Sequence, residues 1–468
     1  MSLRTLRLPH TLVLIYLMVV AAAVATWLVP GGQYQRVEKD GRIVPVPDSF
    51  QFVDRRPQGL GALFISPIQG FVQASNIIAF VLIMGGVFAV VQKTGALDAG
   101  IGRLADRFGR SRALRALFIP VTMIVFSLGG AVFGMCEEAM PFVLVFVPLA
   151  MSLGYDRLVG TAIPFIGAAA GFAGAFFNPF TVGIAQGIAG LPLYSGLGYR
   201  LIVWAVGTAI AVIFVTRHAS RIRKDPQRSL TYEDDLGFRK TLTPNAGPNE
   251  KTALTFAHKA VLFLFLAGMA LLVVGILKYK WYINEIAGLF LALGILAGII
   301  GRLKTDDMAR AFVDGAKDMV NTAFIIGIAR ALLIVATDGR IMDTLLYGMA
   351  RSISHVHPVI SAQLMFVGQC GINFFVHSGT AQAALTMPIM APLGDLVGIT
   401  RQTSVFAFQL AEYINPILPT SGVTMGVLGL AKLRWEKWAK WILPLLIAWF
   451  IFALLSLIPA VLLKWGPM

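Results

Sequence analysis

Charge is scarce in this chain. Only 13% of its 468 residues are Asp, Glu, Lys or Arg, against 57% hydrophobic residues and a mean hydropathy of +0.75. A soluble domain carries roughly 25% charged residues, so this composition excludes one and predicts a polytopic helical membrane protein. Acids are scarcer than bases, 24 against 39, which leaves a net charge of +15. The excess does not point to nucleic acid, because Lys and Arg fall mainly in short loops beside apolar runs, as the positive-inside rule expects. Cysteine is nearly absent: Cys136 and Cys370 sit in apolar or tip sequence with no CxxC or metal-ligand spacing, so neither a disulfide framework nor a zinc site is indicated. There is no GxxxxGK[ST] phosphate loop, which disfavours ATP-driven work, and no nucleophile and base at convincing spacing for an intramembrane enzyme. The first apolar run has no small-residue cleavage site followed by a soluble domain, so it reads as a retained span.

Against that background two adjacent acids stand out. Glu137 and Glu138 lie in GGAVFGMCEEAMPFVLVFVPLAMSLGYDR, between the apolar runs 117–128 and 140–151. Ionised carboxylates are costly in hydrocarbon unless they line a cavity or meet a partner. Each flanking run is short for a separate span of about 20 residues, so a re-entrant hairpin is expected with the acids and Gly129, Gly130 and Gly134 at its tip. The bland alternative is a structural ion pair with Arg157 or Arg330.

Taken in order, residues 11–29 form a first span with Arg4 and Arg7 holding the N-terminus in the cytoplasm, and 30–59 an external loop. An interfacial helix over 60–75 precedes a span at 77–91 and the glutamate hairpin, about 117–152. Residues 160–191 form one span broken at Asn178-Pro179, where proline removes a donor, and 201–215 another. The basic, polar segment 217–259 reads as a partly flexible cytoplasmic linker. Spans at 260–277 and 285–300 follow. An interfacial stretch at 302–317, a span at 322–336 and a second hairpin, about 359–397, with the tip NFFVHSGTAQ come next. A span over 403–430 broken at Asn415-Pro416 and at PTSG, then a last span at 441–463, complete nine spans and two hairpins. The domains are thus 1–59, repeat 1 over 60–216, the linker 217–259, connecting spans 260–303, and repeat 2 over 304–468.

The same order of features occurs in both halves. A shift of 244 residues superposes Gly95 on Gly339, Pro148 on Pro392 and Arg157 on Arg401, with eight identities over 63 positions. By the distribution of basic residues the first hairpin opens inside and the second outside, so the repeats are inverted. Inverted repeats with discontinuous helices meeting near the midplane are the plan of a secondary transporter.

The runs HSGTAQAALTMPIMAPLGDLVGITRQ, NPILPTSG and GMCEEAMPFVLVFVPLAMSLGYDR resemble YfcC-type members of the DcuC-like carrier family, within the ion transporter superfamily. The resemblance covers nearly the whole membrane region. It implies an all-α polytopic fold with a scaffold domain, an elevator-type transport domain and a homodimer in the inner membrane. Family members are described both as C4-dicarboxylate carriers and as basic amino-acid antiporters, so it leaves the substrate open. His377, before Ser378-Gly379, departs from the family pattern, where a smaller residue or proline is expected.

Candidate substrate or ion ligands are Glu137, Glu138, Asn178, Asn373, His377, Ser378, Gly379, Thr380, Gln382, Glu412, Asn415, Thr420 and Ser421. Hydroxyls, amides and free carbonyls at hairpin tips and helix breaks are hard oxygen ligands suited to Na+. The bland readings are close packing of small residues at the second tip, a satisfied structural acid at Glu412 and an ordinary hydrogen-bonded histidine at His377. No cofactor is expected beyond a coupling Na+ or H+, with candidate Na+ positions near Asn178 and Asn415. The partners are a small charged solute and the bilayer. Three acids favour a cationic or zwitterionic solute such as a basic amino acid; a dicarboxylate is the alternative, held by helix N-termini and hydroxyls. A channel, the rival from another class, needs a continuous polar path, whereas the polar residues here cluster.

Overall fold

The computed structural model describes residues 10–39, 42–97, 99, 100, 103, 112–242, 254–279, 281–353 and 356–466. Much of the basic connection expected after the second span, and the end of the segment 217–259 expected as a cytoplasmic linker, lie outside the described residues. Among the described residues seven helices are long and apolar enough to cross a membrane.

Among the described residues the two halves share one order of elements. Helix Leu60–Gln73 runs into Ser75–Lys93, and 245 residues later Thr305–Asp318 runs into Val320–Asp338. Hairpin 1 consists of Arg112–Phe133 and Met140–Ser152; hairpin 2 consists of Pro358–Asn373 and Gly379–Leu396. Each hairpin is followed by a broken helix. The first is Arg157–Ala173 and Ile184–Ala189 with a π-turn at Pro179–Gly183; the second is Arg401–Leu410, a 3-10 stretch Ala411–Ile417, and Gly422–Leu430. Each half then ends in a helix of 28 residues, Leu197–Lys224 and Trp435–Leu462. Phe118 and Phe126 pack on Phe146, and Phe126 also on Phe142, so the arms of hairpin 1 are antiparallel.

The halves meet reciprocally. A Cβ on Gly70 would lie 2.2 Å from the carbonyl oxygen of Gly327, and one on Gly315 would lie 2.2 Å from that of Gly85. Close backbone approach through small residues is how helices associate where lipid and side chains are equally apolar. Because 70 meets 327 while 85 meets 315, the consecutive helices of 60–93 pack antiparallel to those of 305–338, consistent with an inverted arrangement.

Four expectations change. The first arm of hairpin 1 is not short: it begins at Arg112 and has 22 residues, about 33 Å at 1.5 Å per residue. The external loop is not structureless. Gly31–Gln33 pairs with Gln51–Val53 and Arg36–Lys39 with Arg42–Pro45, both antiparallel, so short strands interrupt an otherwise helical chain. Asp343 ties this lobe down, accepting from Tyr34 N–H at 2.9 Å and from Arg36 at 2.8 Å. Third, the start of the segment expected as a linker is folded. Helix Leu197–Lys224 runs through it, and Tyr232–Leu242 is docked by a buried ion pair, Arg157 Nε to Asp235 Oδ1 at 2.6 Å. Arg157 also donates to the carbonyl of Lys432, at 2.7 Å. Fourth, Asn178 and Asn415 are not counterparts. Asn178 caps the second piece of its broken helix, and the residue in that role in the other half is Ser421, which caps Gly422–Leu430; Asn415 lies earlier, in the 3-10 stretch.

Candidate functional site

Hairpin tips and helix breaks converge on one cavity of about 490 Å³. Its wall includes Glu137 and Glu138 from tip 1; His377, Ser378, Gly379 and Thr380 from tip 2; and Glu412, Asn415, Thr420 and Ser421 from the second broken helix. Ten of the thirteen candidate residues are thus neighbours despite their separation in sequence.

Each tip is shaped by local chemistry. Gly134 ends the first arm with φ +76°, and a Cβ there would lie 2.7 Å from Asn178 Oδ1 and 2.9 Å from the Phe180 ring. Only glycine meets both the left-handed backbone and the close approach. A 3-10 turn, Glu137–Ala139, then presents the acids. Glu138 accepts the Cys136 N–H at 2.9 Å, and Glu137 accepts the Tyr282 hydroxyl at 3.2 Å. At tip 2, Ser378 caps Gly379–Leu396 and is itself exposed to the cavity. Thr380 donates to the Phe180 carbonyl at 3.0 Å, and a Cβ on Gly379 would lie 2.5 Å from the Thr181 methyl and 3.1 Å from Glu412 Oε1. Tip 2 therefore touches both broken helices. Thr420 donates to the Phe374 carbonyl at 3.0 Å, which leaves its oxygen to accept from His377 Nε2 at 2.6 Å. His377 is a hydrogen-bonded part of the wall.

The other three candidates stand behind the wall. Asn178 is fully buried and caps its π-turn, accepting from Phe180 N–H at 2.8 Å. Gln382 ties the arms of hairpin 2 together by donating to the Gln369 carbonyl at 2.9 Å and to its side-chain oxygen at 2.8 Å. Asn373 is buried next to Glu412, with no well-formed hydrogen bond from its amide.

Several carbonyls near the breaks, where free ones are expected, are taken up by side chains. Gln409 donates to the carbonyls of Ala173 and Ala175, at 3.0 and 2.6 Å, and is itself held by the buried Arg200. In the second break Thr424 donates to the Asn415 carbonyl at 2.8 Å, Trp438 to Pro416 at 2.7 Å and Trp435 to Ile417 at 2.8 Å. Buried carbonyls must find donors, and here side chains supply them. Among buried side-chain oxygens around the cavity, those without a partner include Glu412 Oε1, Asn415 Oδ1, Asn373 Oδ1 and Thr181 Oγ1.

The acids have no cationic partner. Among the described residues none of Glu137, Glu138 and Glu412 makes a salt bridge. Arg157 is committed to Asp235, and the Nε of Arg330 donates to Gln73 at 3.2 Å. Cys136, Tyr282 and Arg330 are wall residues not counted among the candidates. Arg330 did carry a signal, being the one charge between Val320 and Thr337 of an apolar helix; Tyr282, in a short loop, carried none. Tyr282 also bounds the cavity. It is the N-cap of Ile283–Ile300, so the cavity wall extends from Arg330, within Val320–Asp338, to the end of a neighbouring helix.

Comparison with known proteins follows this geometry. The family described as "DcuC: C4-dicarboxylate anaerobic carrier" matches residues 8–462. An Escherichia coli (strain K12) protein named "Putative basic amino acid antiporter YfcC" is 37% identical over 477 residues, covering 92% of each chain. An uncharacterized Haemophilus influenzae protein is 30% identical over 407 residues, covering 86% of this chain and 79% of its own. Among solved structures, the Alcanivorax borkumensis YdaH transporter aligns over 98% of this chain and 100% of its own, at 16% identity and a TM-score of 0.41.

Proposed function

The chain belongs to the DcuC (C4-dicarboxylate anaerobic carrier) family and is a membrane transporter rather than an enzyme; from that premise we propose that it moves a small cationic or zwitterionic solute, a basic amino acid first, by ion-coupled or exchange transport. The observation that carries this reading is the set of three carboxylates, Glu137, Glu138 and Glu412, in one cavity with no salt-bridge partner among the described residues. Buried carboxylates are retained where they meet a partner. A guanidinium or ammonium group supplies one, and the orphan oxygens of Glu412, Asn415 and Asn373 suit a coupling Na+ or H+. The name of the Escherichia coli relative agrees with this class of solute.

Movement is proposed as elevator-like. Helix Gly422–Leu430 turns glycines toward the neighbouring spans: Gly422 faces Ile77 and Ile326, Gly426 faces Val81, and Gly429 faces Thr322. Small residues on this face suit sliding, and the polar contacts that movement would break include Tyr282 to Glu137 and Lys432 to Asp318. We place the N-terminus inside the cell, so that the end of the cavity at Tyr282 faces outward in an inner-membrane protein, with the hairpins and broken helices as the moving body. A homodimer is the expected assembly.

A C4-dicarboxylate is the second reading, favoured by Arg330 in the wall. Counterflow separates the two. Proteoliposomes loaded with L-arginine or L-lysine should accumulate labelled L-arginine, whereas loading with succinate should not drive uptake. Succinate–succinate exchange without amino-acid exchange would overturn the first reading in favour of the second.

A further inference from the structure

We propose that Arg330 is the carboxylate anchor of the cavity, so that the solute is recognised as an α-amino acid with a cationic side chain rather than as a simple polyamine or amine. The inference rests on the amino-acid reading above and adds a specificity residue to it. Arg330 sits at the middle of the apolar helix Val320–Asp338, where a charge is costly and is kept for a task. Its guanidinium has five N–H donors in a planar fork. One of them, on Nε, is taken by Gln73 Oε1 at 3.2 Å; no carboxylate of the described protein pairs with the others, and the side chain is exposed within the cavity wall. The terminal nitrogens thus form an edge that matches a carboxylate with two parallel hydrogen bonds.

The wall is consequently amphoteric. Arg330 lies on the span Val320–Asp338, while Glu137 and Glu138 lie on tip 1 and Glu412 on the second broken helix. A basic amino acid offers the complementary pair, a carboxylate for Arg330 and one or two cationic groups for the acids. A diamine satisfies only the acids and leaves the guanidinium facing water. A dicarboxylate satisfies only Arg330 and brings further negative charge to three acids.

The test compares L-arginine with agmatine, the same molecule without its carboxylate, as inhibitors of labelled L-arginine exchange in proteoliposomes. The wild-type protein should prefer L-arginine by about 10- to 100-fold, the range of a charge-assisted hydrogen-bond pair. In Arg330→Gln the preference should fall to within about threefold through loss of L-arginine affinity, with agmatine inhibition little changed. Arg330→Lys, which keeps the charge and loses the fork, should be intermediate and guards against a folding defect in the neutral variant. A folded Arg330→Gln or Arg330→Lys protein that keeps the full wild-type preference would overturn the role of Arg330 while leaving the amino-acid reading intact. If neither compound inhibits the wild-type protein, that reading falls, and the anchor with it.

Discussion

Glu412→Gln isolates the acid most completely enclosed by the proposed transport body. Glu412 is 2% exposed; the Asn415 amide donates to its Oε2, and Oε1 has no partner. In the variant the glutamine oxygen can still accept from Asn415, so the local fold keeps its bond, and only the charge and one acceptor facing the cavity are lost. A hydrogen bond to a charged group contributes about 1.5–3 kcal/mol. Taking about 2 kcal/mol, solute or coupling-ion affinity should weaken roughly 30-fold. The unliganded protein should be no less stable, because a buried carboxylate with one partner is replaced by a neutral isostere. Thermal unfolding of the detergent-purified protein with and without ligand reads both effects. At a ligand concentration about 100 times the wild-type Kd, stabilisation is about 2.7 kcal/mol, and a 30-fold weaker variant retains about 0.9 kcal/mol. The expected pattern is an unchanged or raised unliganded Tm together with loss of most of the ligand-induced shift. A ligand shift equal to wild type would show that Glu412 is structural, and an unliganded Tm lowered as far as the liganded one would place its charge in the fold rather than the site.

Other outcomes follow from the same geometry. Gly134→Ala forces a side chain into a left-handed position, at a cost of about 1–2 kcal/mol before its clash with Asn178 Oδ1, and should lower both Tm and exchange rate. Tyr282→Phe removes the bond to Glu137, about 1 kcal/mol, and should change the external labelling rate of a cysteine placed at Ser378 about fivefold; an unchanged rate would show that the contact does not bias the cycle. Asp235→Ala leaves Arg157 buried without its partner and should cost about 3–5 kcal/mol, read as loss of monodisperse protein on gel filtration. At Asp234, burial works to raise the carboxyl, but the Lys437 hydrogen bond and the charges of Lys437 and Arg434 outweigh it and hold it below the ordinary value. A carboxyl depressed on folding contributes stability above its unfolded pKa of about 3.9 and loses it as pH falls further. Asp234→Asn should therefore lower Tm at neutral pH and leave it unchanged once the pH lies below the depressed folded-state pKa.

What the sequence disclosed, and what it hid, has a physical pattern. Glu137-Glu138, Asn178-Pro179 and the HSGT tip were legible because charge, proline and glycine inside apolar runs violate the local rule for a membrane helix, and such violations occur where a site is built. The register of the halves was legible from feature order, since Leu60–Gln73 and Thr305–Asp318 differ in composition but hold the same place. The capture of several break carbonyls by side chains was hidden, because Gln409, Trp435 and Trp438 act across sequence distances that no local pattern encodes. Tyr232–Leu242 looked like a linker because its acids are ordinary surface residues until Arg157 is known to need one. Tyr282 was hidden for the same reason: its loop is short and polar, and only the tertiary fold brings it to Glu137.

The most direct test of the central claim is solute exchange by the purified full-length protein in proteoliposomes, comparing wild type with Glu138→Gln and Glu412→Gln across L-arginine, L-lysine, L-glutamate, succinate and fumarate. The account predicts exchange of the basic amino acids by wild type and its loss in both variants, with folded protein retained. Robust succinate or fumarate exchange that survives both substitutions, with no exchange of basic amino acids, would contradict it.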